Sequence, residues 1–220
     1  MSKLRLTITM SLDGYVAGPQ QSLENPIGVG GMELHQWMFP LREFRERHSG
    51  ERDGESNQSS AVIRERWENV GATIMGRHMF GGGSGPWGDQ PWEGWWGEDP
   101  PYHHPVFVLT HHPREPVEKA GGTTFHFITD GIEAALAQAR QAAQGADVWL
   151  AGGASVANQY LAAGLVDELD VSIAPVLLGT GERLFEGVGA GAPRLEQVRA
   201  VDAPGVTHVK YRVRRAGAGS

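Results

Sequence analysis

From Leu4 to Met10 the chain alternates: Leu4, Leu6, Ile8 and Met10 are interleaved with Arg5, Thr7 and Thr9. A period of two predicts a β-strand with one face on a core. The period then changes. Leu34, Trp37, Met38, Leu41 and Phe44 follow helical spacing up to about Arg47, interrupted by Pro40, which removes a helix hydrogen bond. Residues 61–70 place Val62, Ile63, Trp67 and Val70 on related faces and predict a second helix, with Gly71 as its stop. Apolar runs at 72–75, 106–109, 123–128, 147–151 and 169–176 predict buried strands. Between them, 132–143 predicts a helix capped by Asp130, with Glu133 three residues beyond the cap. A further helix is predicted over 155–163, ended by Gly164.

Strand and helix alternate through the middle of the chain, which predicts a largely parallel sheet. Residues 195–201 and 207–213 predict two strands with no helix between them, hence an antiparallel C-terminal edge. Residues 11–19 read as a structured loop, Ser49 to Ser60 as a polar flexible loop, and Gly81–Pro105 as an irregular insertion dense in Gly, Pro and Trp. One domain over 1–213 is expected, followed by a flexible tail over 214–220.

Composition narrows the classes. The 220 residues suffice for one large α/β domain, and the absence of cysteine excludes disulfides and cysteine-ligated metals. It also fits a reducing compartment, so a cytoplasmic setting is expected. The net charge of −7 argues against non-specific nucleic-acid binding. Residues 1–10 do not read as a signal peptide, and no apolar run is long enough to span a bilayer. No metal site is expected. The pairs His103-His104 and His111-His112 are sequence neighbours, which point to opposite faces of a strand.

Three turns carry candidate chemistry. Gly76-Arg77-His78 follows a strand, where a glycine lets a phosphate approach the backbone and an arginine can grip it bidentately. The alternative is a solvated arginine in an ordinary turn. Gly152-Gly153-Ala154-Ser155 follows another strand and opens a helix, as a phosphate cradle does. It is neither a dinucleotide fingerprint nor a P-loop, and close helix–strand packing explains it equally. Thr110-His111, with Arg114 close behind, ends a third strand and offers donors for an adenosine 2′-phosphate, or is simply an exposed strand end. Trp87, Trp92, Trp95 and Trp96 could wall a pocket for a flat heterocycle, or pack on one another.

The order of these motifs resembles a known family. Ser11-Leu12-Asp13-Gly14-Tyr15-Val16-Ala17-Gly18, Met75-Gly76-Arg77, Ala151-Gly152-Gly153-Ala154-Ser155, Leu165-Val166-Asp167-Glu168-Leu169 and the stretch from Ala174 to Gly181 are similar to the reductase domain of the bifunctional riboflavin-pathway deaminase-reductases, itself related to dihydrofolate reductase. The resemblance implies an α/β fold of three layers, α/β/α, with a mostly parallel central sheet. It implies an NADPH-dependent reductase acting on a small heterocycle, either a pyrimidine ribosylamine or a pterin. A homodimer is implied as well. Gly76, Arg77, His78, Thr110, His111, Gly152, Gly153, Ala154 and Ser155 would hold the cofactor phosphates. Thr9, Val16 and Ala17 would flank the nicotinamide.

Dihydrofolate reductases anchor the pterin with an acid on the helix after the first loop. Glu33 is the nearest carboxylate here, and His35 is its neighbour. The proton for reduction could come from Asp13, Glu33, His35 or water. The deaminase half of the riboflavin enzymes needs cysteine ligands and is therefore absent from this chain. A non-catalytic module that binds a nucleotide or heterocycle on the same fold is the alternative function.

Overall fold

The computed structural model describes residues 2–89, 92–189 and 193–214. The elements run β1 (Leu4–Ser11), β2 (Tyr15–Ala17), α1 (Arg42–Ser49), α2 (Gln58–Trp67), β3 (Val70–Gly76) and α3 (Arg77–Phe80). Then come β4 (Pro105–Leu109), β5 (Val117–Glu118), β6 (Thr124–Ile128), α4 (Gly131–Ala142), β7 (Asp147–Gly152) and α5 (Ala154–Ala162). The chain closes with β8 (Glu168–Ala174), β9 (Glu182–Arg183), β10 (Arg194–Ala203) and β11 (Val206–Arg214).

Nine of these strands form one sheet in the order β10-β11-β8-β1-β7-β3-β4-β6-β5. The six from β8 to β6 are parallel. The pair β10 and β11 forms the expected antiparallel edge. A second antiparallel edge strand, β5, was not legible because only two residues pair. The short β2–β9 sheet likewise lies inside what the sequence presents as loop. From 215 on, the expected tail lies outside the described residues.

The alternation in β1 reflects two buried faces. Leu4, Leu6 and Ile8 join Ile74, Leu150 and the inner sides of α4 and α5 in one core. Arg5, Thr7 and Thr9 are also buried, on the opposite face. There Arg5 donates from Nη1 to Glu68 O at 2.8 Å and from Nη2 to Glu65 O at 2.7 Å. Glu65 O also accepts from Glu68 N at 3.3 Å, so the guanidinium adds to the bonding at the end of α2. A second core on that face gathers Met75, Val106, Val108, Phe125, Trp149 and Tyr102. The sheet is thus covered on both sides, and the three-layer α/β/α arrangement holds.

Several boundaries differ from expectation. Pro40 divides the 34–47 pattern: a 3-10 turn spans Gly31–His35, and α1 starts only at Arg42. Gly71 does not stop α2. That helix ends at Trp67, Asn69 takes the left-handed turn (φ 55°), and Gly71 lies within β3. A side chain there would meet Ala143 O at 2.7 Å, so close packing selects the glycine. Asp130 sits at the N-cap of α4 without a side-chain hydrogen bond, whereas Asn57 and Ser60 form a capping box on α2. None of the described residues in 81–104 is in a helix or strand, as the composition predicts. Among the described residues, no helix is long and apolar enough to cross a membrane.

Candidate active site

A parallel sheet delivers its strand ends to one edge, and ligands bind outside the carboxyl ends. Here that edge borders a cleft of about 600 Å³. β3 brings Gly76, Arg77 and His78 to it, β4 brings Thr110 and His111, and β7 brings Gly153, Ala154 and Ser155. β1 and β2 add Thr9, Val16 and Ala17. The three glycine-rich or basic turns therefore converge on one space. β6 contributes Thr129 and Gly131, which sequence reasoning missed.

Two helices start at the cleft. Gly153 and Asp130, the N-cap residues of α5 and α4, make no side-chain capping bond. Their first backbone N–H groups are left for a ligand, with the helix dipole behind them. A Cβ on Gly153 would meet no atom within 4 Å and would stand in open space. Gly76 differs: its Cβ would lie 2.8 Å from Val156 Cγ2, so it is small to let α5 approach β3.

Arg77 is nearly buried, at 7% exposure. Its Nη2 donates to Gly82 O at 3.0 Å, and Nε and Nη1 have no partner among the described residues. Desolvation, then the nearby Arg114 charge, lowers its pKa to about 10, so it stays charged at neutral pH. Arg114 itself turns away from the cleft. Its guanidinium lies 4.8 Å from the Trp87 ring centroid and donates to Trp92 O.

The other end of the cleft is aromatic. Trp67 meets Trp149 edge-on at 4.7 Å and Tyr102 at 6.1 Å, and Trp96 meets Tyr102 at 5.1 Å. His35, Phe44, His48 and Arg66 complete that wall. Burial, and then the Arg66 charge, holds His35 at about 4, so it is neutral at pH 7. Arg66, Trp67 and Trp149 were missed. The available signal was Arg66 itself, a charge three residues beyond Ile63 on the apolar face of α2.

Other candidates lie elsewhere. Asp13 is not at the cleft. It accepts from Ser11 Oγ at 2.5 Å, from Gly179 N at 2.7 Å and from Leu178 N at 3.1 Å. The Ser11 bond first, and then the two backbone bonds, outweigh desolvation and lower its carboxyl to about 2. Glu33 is exposed on the 3-10 turn, outside the cleft lining. Gly152 is not in the cleft lining, and a Cβ on it would lie 3.4 Å from Ile8 Cδ1. Trp95 and Trp96 line the cleft, whereas Trp87 and Trp92 face an adjoining groove.

The indole N–H groups of Trp87, Trp92 and Trp95 donate to His112 O, Phe80 O and Met79 O at 2.9, 2.8 and 3.1 Å. The insertion is thus tied to the elements on either side of it. Among the described residues, no three His, Asp or Glu side chains cluster to hold a metal.

The fold is that of the dihydrofolate-reductase-like proteins. Dihydrofolate reductase from Enterococcus faecalis, solved as a complex with NADP(H) and RAB-propyl, superposes with a TM-score of 0.53 at 14% identity, over 96% of both chains. A Shewanella sp. PV-4 protein assigned to riboflavin biosynthesis gives a TM-score of 0.63 at 20% identity, over 98% of this chain and 100% of that one. The chain belongs to the RibD C-terminal domain family, whose model matches residues 2–209. YwjB of Bacillus subtilis (strain 168) is 37% identical over 59 residues, 27% of this chain, and the match spans about a third (33%) of that relative's length.

Proposed function

We propose that this protein is an NADPH-dependent reductase that adds hydride to a C=N or C=O group of a small flat heterocycle. Pyrimidine ribosylamines and pterins are the two classes that the family likeness brings. The observation that carries the reading is the convergence of Arg77, Thr110 and Gly153 on one cleft. The cofactor fits that cleft chemically. Among the described residues Arg77 has two unpartnered nitrogens, α4 and α5 begin there without a side-chain cap, and Gly153 leaves the space beside it open. Such donors suit phosphate oxygens.

When bound, reduced nicotinamide supplies the hydride. Thr9, Val16 and Ala17 orient its ring, and Gly153, Ala154 and Ser155 hold the pyrophosphate. Gly76, Arg77, His78, Thr110 and His111 hold the adenosine end and its 2′-phosphate. Trp95 and Trp96 shield the substrate from water. Of the three candidate acids, only His35 lines the cleft, and it is uncharged at pH 7. It hydrogen-bonds the substrate, and water supplies the proton to the reduced nitrogen or oxygen. A homodimer in the cytoplasm belongs to the same reading, supported by the family likeness and the cysteine-free composition.

Fluorescence titration with NADPH and NADH tests the cofactor. Absorbance at the reduced-nicotinamide band, with a panel of pyrimidines, pterins and simple carbonyls, tests turnover. Absent or equal binding of the two cofactors rejects the NADPH assignment. Tight NADPH binding without turnover on any of the panel rejects catalysis.

A further inference from the structure

Glu182 is the one carboxylate among the described residues that line the cleft, and it also borders the adjoining groove. The β2–β9 pairing sets its place, with Glu182 opposite Ala17. Directly opposed residues of an antiparallel pair send their side chains to the same face, with Cβ atoms about 4.5–5.5 Å apart. Ala17 lines the cleft too, so the carboxylate is on the cleft side of the pair. Gly181 permits this close approach, because a Cβ there would lie 2.1 Å from Ala17 O.

The next residue in β9 does not neutralise the charge. Arg183 donates from Nη2 to Tyr15 OH at 2.6 Å and from Nη1 to Asp13 O at 3.2 Å. Among the described residues the Glu182 carboxylate has no ion-pair or hydrogen-bond partner.

In the reductase reading Ala17, with Thr9 and Val16, flanks the nicotinamide, and the inference rests on that reading. The ring is uncharged in NADPH and positive in NADP⁺, while the rest of the cofactor is the same in both. In the reduction, hydride passes from C4 to the acceptor carbon with both electrons of its bond. The acceptor nitrogen or oxygen takes a proton from water, and the ring is left positive. A fixed carboxylate beside such a ring stabilises the charge as it develops. We infer that Glu182 faces the nicotinamide and favours its positively charged form, which makes the bound cofactor a stronger hydride donor. Glu182 thus discriminates between the two redox states, whereas Arg77 and the phosphate-binding turns act on both alike.

Titration of the full chain with NADP⁺ and with NADPH tests this without turnover. Glu182→Gln keeps the side chain's shape and removes its charge. It should raise the ratio of the NADP⁺ to the NADPH dissociation constant at least about threefold, the size expected for unit charges ~7 Å apart even under water-like screening. Glu182→Asp, which keeps the charge and draws it back by one methylene, should fall between. It also serves if the glutamine variant does not fold. Glu186→Gln removes an exposed carboxylate of the same segment, outside the lining of cleft and groove, and should leave the ratio unchanged.

A ratio that stays fixed in Glu182→Gln while both forms still bind overturns the inference and leaves the cofactor assignment standing. An equal shift in Glu186→Gln does the same, since any surface charge would then suffice. If neither form binds the parent protein, the cofactor assignment fails and this inference fails with it.

Discussion

The Arg77 guanidinium sits over the Trp87 indole, its Cζ 3.1 Å from the ring centroid. The indole is in turn fixed by its N–H bond to His112 O at 2.9 Å. A long side chain that would otherwise be mobile is thereby held at the cleft with Nε and Nη1 unpaired among the described residues. Stacking on the ring face suits a guanidinium better than an ammonium.

Arg77→Ala is accordingly expected to weaken NADPH by about 10- to 100-fold, the range for losing charge-assisted bonds worth ~1.5–3 kcal/mol. NADH, without the extra phosphate, should weaken much less. Trp87→Leu should give a smaller change in the same direction by freeing the arginine. Titrations of each variant with both cofactors measure the ratio, and a ratio that does not move removes Arg77 from 2′-phosphate recognition.

The two cleft glycines should separate stability from binding. Gly76→Ala drives a methyl to 2.8 Å from Val156 Cγ2, so α5 must shift. A loss of about 1–3 kcal/mol is expected, the usual range for overpacking. Gly153→Ala meets no protein atom, and its φ of −76° suits alanine. Its Tm should stay near the parent's while NADPH affinity drops at least about tenfold, because the methyl occupies ligand space. Thermal melts with cofactor titrations read both. A Gly153→Ala protein that binds NADPH normally would place the pyrophosphate elsewhere.

His208 gives the fold an acid limit. It is 1% exposed, with Nε2 2.9 Å from Ser59 Oγ and Nδ1 2.8 Å from Ser172 Oγ. Burial first, then the Arg66 and Arg199 charges, lowers it from 6.5 to about 4. Between these values the unfolded chain binds the proton and the folded chain does not, so stability is complete above pH 6.5 and falls as pH drops towards 4. The group contributes about 2–3 kcal/mol across that window.

His35 and His104 are lowered to about 4 as well, so they share the slope. His208→Gln, whose amide can bond both serines, should flatten the fall of Tm with pH by up to about a third, since burial lowers His48 and His126 as well. A slope equal to the parent's would show that His208 is not a source of it.

Asp13→Asn tests a residue that the sequence offers as a catalyst and the structure uses as a clamp. The carboxylate ties Ser11 to the Leu178–Gly179 turn. With its pKa near 2 it has no proton to donate at neutral pH. The variant should keep the shape of the kcat pH profile and lose rate less than tenfold, by loosening the loop beside β2. Loss of the alkaline limb of that profile, the fall in rate as a donor deprotonates, would restore Asp13 as the proton donor.

Much of the architecture was legible because it depends on local periods and turn residues. The alternation in β1, the helix over 132–143 and the left-handed Gly164 after α5 (φ 64°) are where the pattern places them. The placement of Arg77, Thr110 and Gly153 at strand ends was equally readable, since a strand's length fixes where its last residue emerges.

What failed had a non-local cause. Gly71 looks like a helix stop but is small because Ala143, 72 positions later in sequence, packs against it. Asp13 looks catalytic, yet its partners Leu178 and Gly179 are 165 and 166 residues away.

By itself, then, the chain determined which segments would be strands and helices and which glycine-rich or basic turns follow strands, because backbone preference and hydrophobic period act over a few residues. Tertiary structure decided which of those turns share a cleft, that Arg66 rather than Glu33 lines its aromatic end, and that His35 is uncharged there. Those outcomes depend on burial and on the field of distant charges, which exist only once separate strands are packed together.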